Sequence, residues 1–285
     1  MRMNFHMPAQ WAQRAVRIAL IGAGGTGSDM AVRLAKMHRQ LVALGGEGLD
    51  VTIFDPDAFS ANNVGRQHAS PSFVGLNKAL ALCHSLNMAY ALNWRGIPQA
   101  FDVERAKRGY NGFDLIVTCV DKALFRAELG RSFRDAHTDT LWLDTGNGAD
   151  LGQVVLGPLG TPYRAALRLP NVFDLWPDLA TMQAVDVEQP SCSAEESMTR
   201  QSWPVNQAAA LVAAEMLWTL IRHGSLDYHG TSFHLRPLRT EPMWIDPEAW
   251  SFFGYAPERA EAAGGQGGYP SGTLGAEPCN DLPVF

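Results

Sequence analysis

Residues 18–28 read "IALIGAGGTGS": an apolar run enters a glycine-rich turn and leaves it as a helix-like segment. Gly22, Gly24 and Gly27 satisfy the spacing G-x-G-x-x-G, in which bare backbone can approach a phosphate at a helix N-terminus. Strand, tight turn and helix in that order point to an α/β architecture with a nucleotide-type phosphate seat. The fingerprint alone does not separate a dehydrogenase from other enzymes that hold a phosphate in this way.

Beyond the turn, strand and helix signals alternate, which predicts a mostly parallel sheet with helices on both faces. Strands are expected at 16–22, 51–55 and 114–121, with further strands at 140–146 and 152–157. Helices are expected at 26–44, where Met30, Leu34, Met37 and Leu41 share one face, and at 74–92 and 122–137. Residues 168–200 read as a Pro-punctuated loop, 203–224 as a helix closed by Gly224, and 228–238 as a final strand. The domain reading is an N-terminal arm at 1–15 and one domain at 16–256, with a nucleotide half at about 16–150 and a second half at about 151–256. Residues 257–285, rich in Gly and Pro, read as a flexible tail.

Bulk properties exclude some classes. A net charge of −6 argues against a nucleic-acid surface, which favours a basic face. The sequence shows no signal-peptide pattern and no apolar run long enough for a membrane span, so a cytoplasmic protein is expected. The four cysteines (Cys83, Cys119, Cys192, Cys279) form no C-x-x-C pair, so zinc is not expected.

The choice of nucleotide rests on charged residues downstream. Asp55 ends the second strand, where a carboxylate can accept hydrogen bonds from ribose hydroxyls. Arg66 and Lys78 come next as phosphate ligands, and Asp121 sits at the C-terminal end of a later strand, where it can hold Mg²⁺. NAD needs neither the lysine nor a metal-binding acid, so these residues point to ATP.

At these residues the sequence resembles the E1-like activating enzymes of the ThiF/MoeB/HesA type. The resemblance rests on "GAGGTGS" (Gly22 to Ser28), "DPDAFSANNVGRQ" (Asp55 to Gln67), "VGLNKA" with Lys78, and "DKALFR" (Asp121 to Arg126). "PSCSAEESMTRQSWPVNQ" and "LDYHG" look like the ThiF-type proteins of PRTRC systems. The resemblance implies a Rossmann-like ThiF/E1 adenylation fold. It implies an ATP- and Mg²⁺-dependent enzyme that adenylates the C-terminal carboxylate of a small ubiquitin-like β-grasp protein. It further implies a homodimer and an E2-like or sulfur-carrier acceptor. By analogy the nucleotide would meet Gly22, Gly24, Gly25, Gly27 and Ser28. Asp55 would bind ribose, Asn63, Arg66 and Lys78 the phosphates, and Asp121 the Mg²⁺, with Arg126 bracing the site.

Three departures stand out: Lys122 replaces the family's amide, the zinc pairs are missing, and the arm offers only Arg14 or Arg17 to reach a partner subunit's site. An NAD-dependent oxidoreductase and a non-catalytic E1-like scaffold therefore remain alternatives. Among the cysteines, Cys83 and Cys119 lie in apolar settings that favour inert packing, and Cys279 is in the tail. Cys192 precedes "SAEE", which has the form of a capping box, and a thiol at a helix N-terminus can have a lowered pKa. Cys192 is thus the candidate thioester nucleophile. With that role, Cys192→Ala abolishes a thiol-labile adduct with the partner but leaves first-turnover pyrophosphate release unchanged; an adduct that survives the substitution rejects it.

Overall fold

The computed structural model describes residues 3–110, 112–163, 167–181 and 204–256. Its strands are β1 (Phe5–His6), β2 (Val16–Ile21), β3 (Leu49–Phe54), β4 (Arg95–Ile97), β5 (Leu115–Thr118), β6 (Leu141–Asn147), β7 (Leu151–Pro158), β8 (Ser225–Leu226), β9 (Tyr228–Leu235) and β10 (Leu238–Trp244). The helices are α1 (Gly25–Ala43), α2 (Lys78–Tyr90), α3 (Val103–Arg105), α4 (Ala123–Phe133), α5 (Val172–Leu175), α6 (Pro177–Thr181), α7 (Val205–His223) and α8 (Pro247–Ser251).

Eight strands form one sheet in the order β10-β9-β7-β6-β5-β2-β3-β4. The run from β6 to β4 is parallel, and β7, β9 and β10 extend it antiparallel. Strand order reverses at β2: β3 lies on one side and β5 on the other, so the C-terminal ends of β2, β3 and β5 open a crevice. Central strands are apolar on both sides because helices cover both sides. Ile18 and Leu20 of β2 pack with α1, α2 and α7, whereas Ala19 and Ile21 face α3 to α6.

The structure adds elements that the sequence pattern conceals. β4 has three residues with Gly96 at its centre, and a Cβ there would lie 2.6 Å from the Ala79 carbonyl of α2. The small residue that permits this close packing also removes the strand signal. β10 continues from the expected final strand as an exposed edge carrying Arg239, Glu241 and Pro242, a composition that reads as loop but guards an edge. The expected loop 168–200 contains α5 and α6 in its described part. The second helix begins at Lys78 rather than Val74, because Asn77 caps it by accepting from the Leu80 N–H at 3.0 Å. The late helix ends where the sequence places its end, with Gly224 in the left-handed region at φ +80°.

Residues 3–15 pack onto the domain: β1 pairs with β8, and Trp11 is buried. Arg14 forks onto the Asp114 carboxylate at 2.5 and 2.6 Å, and Arg17 reaches the same carboxylate through its backbone N–H and guanidinium. Both arginines thus meet Asp114 just before β5, at the sheet edge opposite the crevice. The 257–285 tail, Cys192 and Cys279 lie outside the described residues. Among the described residues no helix is long and apolar enough to cross a membrane.

The two guanidiniums overcome the effect of burial and hold the Asp114 carboxyl down at about 2. A depressed carboxylate contributes stability above its unfolded value and loses it as pH falls through its folded value. Wild type therefore loses stability between about pH 4 and pH 2, and Asp114→Asn removes that dependence, as chemical unfolding across this range measures. The arginines are about half-exposed, so the loss is on the order of 1 kcal/mol.

Candidate active site

The β2–α1 turn is shaped by what its glycines lack. Gly22 has φ +91°, and a Cβ there would lie 2.7 Å from the carbonyl oxygen of Cys119 at the exit of β5. At Gly27 a Cβ would overlap the Gly22 carbonyl oxygen, so this residue admits the tight return of the helix over the turn. Gly25 packs against the Asn206 side chain of α7, with a Cβ position 2.5 Å from Nδ2. Gly24 differs: a Cβ there meets nothing within 4 Å. Three glycines serve close packing, and the bare side of the fourth faces open space.

α1 begins with no side-chain cap and no acid in its first turn. The Gly25, Thr26 and Gly27 N–H groups donate to no described acceptor, which leaves a 19-residue helix with an open positive end. Such a terminus accepts an anion.

Asp55 stands beside it at the end of β3. Its Oδ2 accepts from the Ala23 N–H at 2.6 Å and its Oδ1 from the Asp57 N–H at 2.8 Å. Burial pushes the carboxyl pKa up, while the two N–H donors and nearby Lys78 oppose that rise. Asp55 therefore fastens the glycine turn to β3, and each oxygen retains a lone pair for a further donor. Asn77 Nδ2 donates to the Asp55 and Asp57 carbonyls, and Lys78 Nζ lies 3.2 Å from Asp57 Oδ2. This brings Lys78 beside Asp55. Asp57 serves as the partner of that lysine.

The loop carrying Asn63 and Arg66 is joined to α1 through Ser28. The Ser28 hydroxyl donates to the Gly25 carbonyl at 3.2 Å and accepts from the His68 N–H at 2.9 Å. Asn63 Oδ1 accepts from the Ser60 N–H, and the Asn63 carbonyl accepts from Arg66 and Gln67, so this asparagine shapes its own loop.

On the other side of the crevice Asp121 lies just past β5. Its carboxylate is exposed and has no described partner. Lys122, not Asp121, occupies the cap position of α4, and no side chain caps that helix. Arg126 lies behind: Nε donates to Asp144 Oδ1 at 2.7 Å, and Nη2 donates to the Val120 and Thr145 carbonyls at 2.8 Å. That geometry anchors the β5 exit and with it Asp121. Burial pushes the Cys83 thiol to about 11 and the Cys119 thiol to about 12, as inert packing requires.

Sequence reasoning missed a polar knot on the far flank of α1. The Thr26 hydroxyl lies 3.1 Å from Asn206 Oδ1 and 3.2 Å from Asn147 Oδ1, and Asn147 Nδ2 donates to Asn206 Oδ1 at 3.1 Å. These residues come from α1, β6 and α7, so no local spacing signals them. Also unforeseen is a cavity of about 310 Å³ lined by Thr52, Phe54, Ile97, Phe101, Arg105 and Phe113, among others. It adjoins Asp55 through Phe54 but none of the turn glycines lines it. Among the described residues no group of three or more His, Cys, Asp or Glu is gathered for a metal ion.

The model of the ThiF family matches residues 2–244. The chain belongs to the ThiF family. Its fold is similar to that of E. coli MccB solved with ATP: TM-score 0.54 and 16% identity, covering 81% of this chain and 64% of that one. MccB in complex with N-formylated MccA gives 0.55 and 17%, with 81% and 64% covered. PaaA gives 0.54 and 14%, again with 81% and 64% covered. This ThiF-family chain thus spans just under two thirds of these neighbours' length, and identities this low establish the fold alone. No curated protein matches the sequence.

Two glycine substitutions separate packing from ligand space. Gly27→Ala loses roughly 2 kcal/mol or more of stability, because its methyl overlaps a backbone carbonyl. Gly24→Ala stays within about 1 kcal/mol of wild type, the cost of an alanine at an N-cap, yet weakens nucleotide binding. Thermal melts paired with calorimetry read both effects; a Gly24→Ala variant with unchanged nucleotide affinity removes this seat.

Proposed function

We propose that this protein uses ATP to adenylate the C-terminal carboxylate of a small protein or peptide. The observation that carries the reading is the open N-terminus of α1, with Lys78 and the Arg66 loop on one side and the free Asp121 carboxylate across the crevice. Family membership supports it, as does the similarity of fold to MccB, a protein solved both with ATP and with MccA.

In this reading the triphosphate lies on the α1 N–H groups, and Lys78 and Arg66 neutralise its charge. Asp55 accepts from the ribose while it holds the turn, and the cavity beside Phe54 and Phe101 receives the base. One oxygen of the incoming carboxylate forms a bond to the α-phosphorus with its own electron pair. The bond from that phosphorus to the bridging oxygen breaks, and pyrophosphate leaves with those electrons. The carboxylate is already ionised at neutral pH, so no general base is needed. Positioning and charge neutralisation therefore supply the rate.

A single exposed carboxylate fits Mg²⁺, which takes one or two protein carboxylates and fills its other positions with phosphate oxygens and water. Asp121 would hold it, and the ion would add positive charge at the phosphates. A β-grasp protein is the proposed partner, on the resemblance of the sequence blocks, with Cys192 as the subsequent acyl acceptor. A homodimer is proposed on the same resemblance.

Calorimetry with ATP·Mg²⁺ and with NAD⁺ tests the reading. ATP binds and NAD⁺ does not; Asp121→Ala keeps the wild-type melting temperature but loses the Mg²⁺-dependent part of ATP affinity, roughly tenfold or more. Preference for NAD⁺ makes this an oxidoreductase, binding of neither makes it a scaffold, and an Asp121→Ala variant with full Mg²⁺ dependence removes the metal role. Asp55→Ala is a poorer probe, since it also strands the Ala23 and Asp57 N–H groups at a cost of about 1–3 kcal/mol.

A further inference from the structure

α1 has two flanks with different chemistry. Thr26 and Ser28 are two residues apart, so they point about 200° from one another around the helix. Ser28 bonds the loop that carries Arg66, and the same side holds Lys78 beside Asp55 and Asp57. Thr26 bonds the neutral amides of Asn147 and Asn206. At the helix terminus the first flank presents Lys78 and the second presents these amides, while Arg33, two turns further along the second flank, is turned to the Gln207 carbonyl at 3.5 Å.

The Asn206 amide turns its Oδ1 into this knot. Its Oδ1 accepts from both Thr26 and Asn147, and the residue is only 9% exposed. With Oδ1 turned to those donors, Nδ2 lies against Gly25, where any side chain on that residue would displace it. Nδ2 donates to no described acceptor and stands beside the N–H groups of the α1 first turn, so it is a buried donor with no described partner at the helix terminus. Asn206 also belongs to α7, the helix that comes after residues 182–203 in the chain.

We propose that Asn206 Nδ2 holds the incoming substrate carboxylate, and afterwards the carbonyl oxygen of the acyl-adenylate, on the flank of α1 opposite the phosphate-binding cations. A neutral amide suits that task. A cation would hold the carboxylate more tightly but would withdraw charge from the oxygen that must attack phosphorus. An amide aims the group and leaves it nucleophilic. Thr26 and Asn147 act through Asn206 as positioning residues, since they fix which arm of the amide faces the substrate. Gly25 is then required for a second reason, because its missing side chain admits the amide to the helix terminus.

The inference rests on the adenylation reading, and its test separates the two. The probes are AMP and 5′-O-(N-glycylsulfamoyl)adenosine, an unreactive mimic of a glycyl-adenylate, titrated calorimetrically. Wild type binds the acyl mimic roughly tenfold more tightly than AMP, the scale of one hydrogen bond to an oriented donor. Asn206→Ala loses that preference and keeps its AMP affinity. Asn206→Leu, neutral and of similar shape, deletes the donor without adding charge beside the anion seat, and it loses the preference as well. Wild type binding neither probe overturns the adenylation reading and this inference with it. AMP binding without preference for the mimic, or a preference that survives both substitutions, overturns the inference alone. Equal loss of both ligands in Asn206→Leu also overturns it, by making Asn206 a nucleotide ligand.

Discussion

The Asp55 carboxylate, accepting from the Ala23 N–H, joins the two parts on which the site is built. Ala23 belongs to the turn between β2 and α1, and Asp55 ends the neighbouring strand. A glycine-rich turn has many conformations open to it. Its shape here is enforced from outside, by a carboxylate on one side and by the Cys119 carbonyl on the other. The second oxygen of Asp55 continues the chain of restraint into Asp57, whose own carboxylate meets Lys78. Through this sequence of contacts the orientation of α1 and the position of Lys78 depend on one another.

The same economy recurs around the crevice. Ser28 belongs to the glycine motif, yet its hydroxyl is engaged between the Gly25 carbonyl and the His68 N–H. Arg126 fastens the β5 exit through Asp144 and two carbonyls instead of presenting its charge to the crevice. Among the described residues, the α1 N–H donors and the Asp121 carboxylate are groups at the crevice left without a described partner. A preorganised site has this form, because donors held in place need no reorganisation when the charge they serve appears.

Much of the architecture is legible in the chain. Apolar runs at 16–22, 51–55 and 114–121 are long and continuous because their strands are covered on both faces, and a signal of that strength survives without tertiary information. β4 and β10 are invisible for opposite reasons. β4 is short and centred on Gly96, which exists to let α2 approach, whereas β10 is polar because it lies at an exposed edge. In both cases the residue choice answers a neighbour or the solvent rather than a local preference. The α2 boundary is misplaced by pattern alone because Val74 and Leu76 resemble helix residues, and only the cap formed by Asn77 shows where the helix starts.

The sequence by itself determined which contiguous blocks are candidates for the site: the glycine turn, the strand-end Asp55 and Asp121, and the Arg66 and Lys78 blocks. The turn and the two acids are readable because each stands at a strand or helix end, whereas Arg66 and Lys78 are read from their charge and from the resemblance of their blocks. Only the tertiary structure decided which of these residues are engaged with other residues and which are left open. It also decided that Thr26, Asn147 and Asn206 meet, and that Arg14 and Arg17 converge on Asp114 at the opposite edge. The physical reason is the same throughout: a hydrogen bond between residues 121 or 180 positions apart leaves no period in the sequence. It exists only once the sheet has set the order of its strands and placed α7 beside α1.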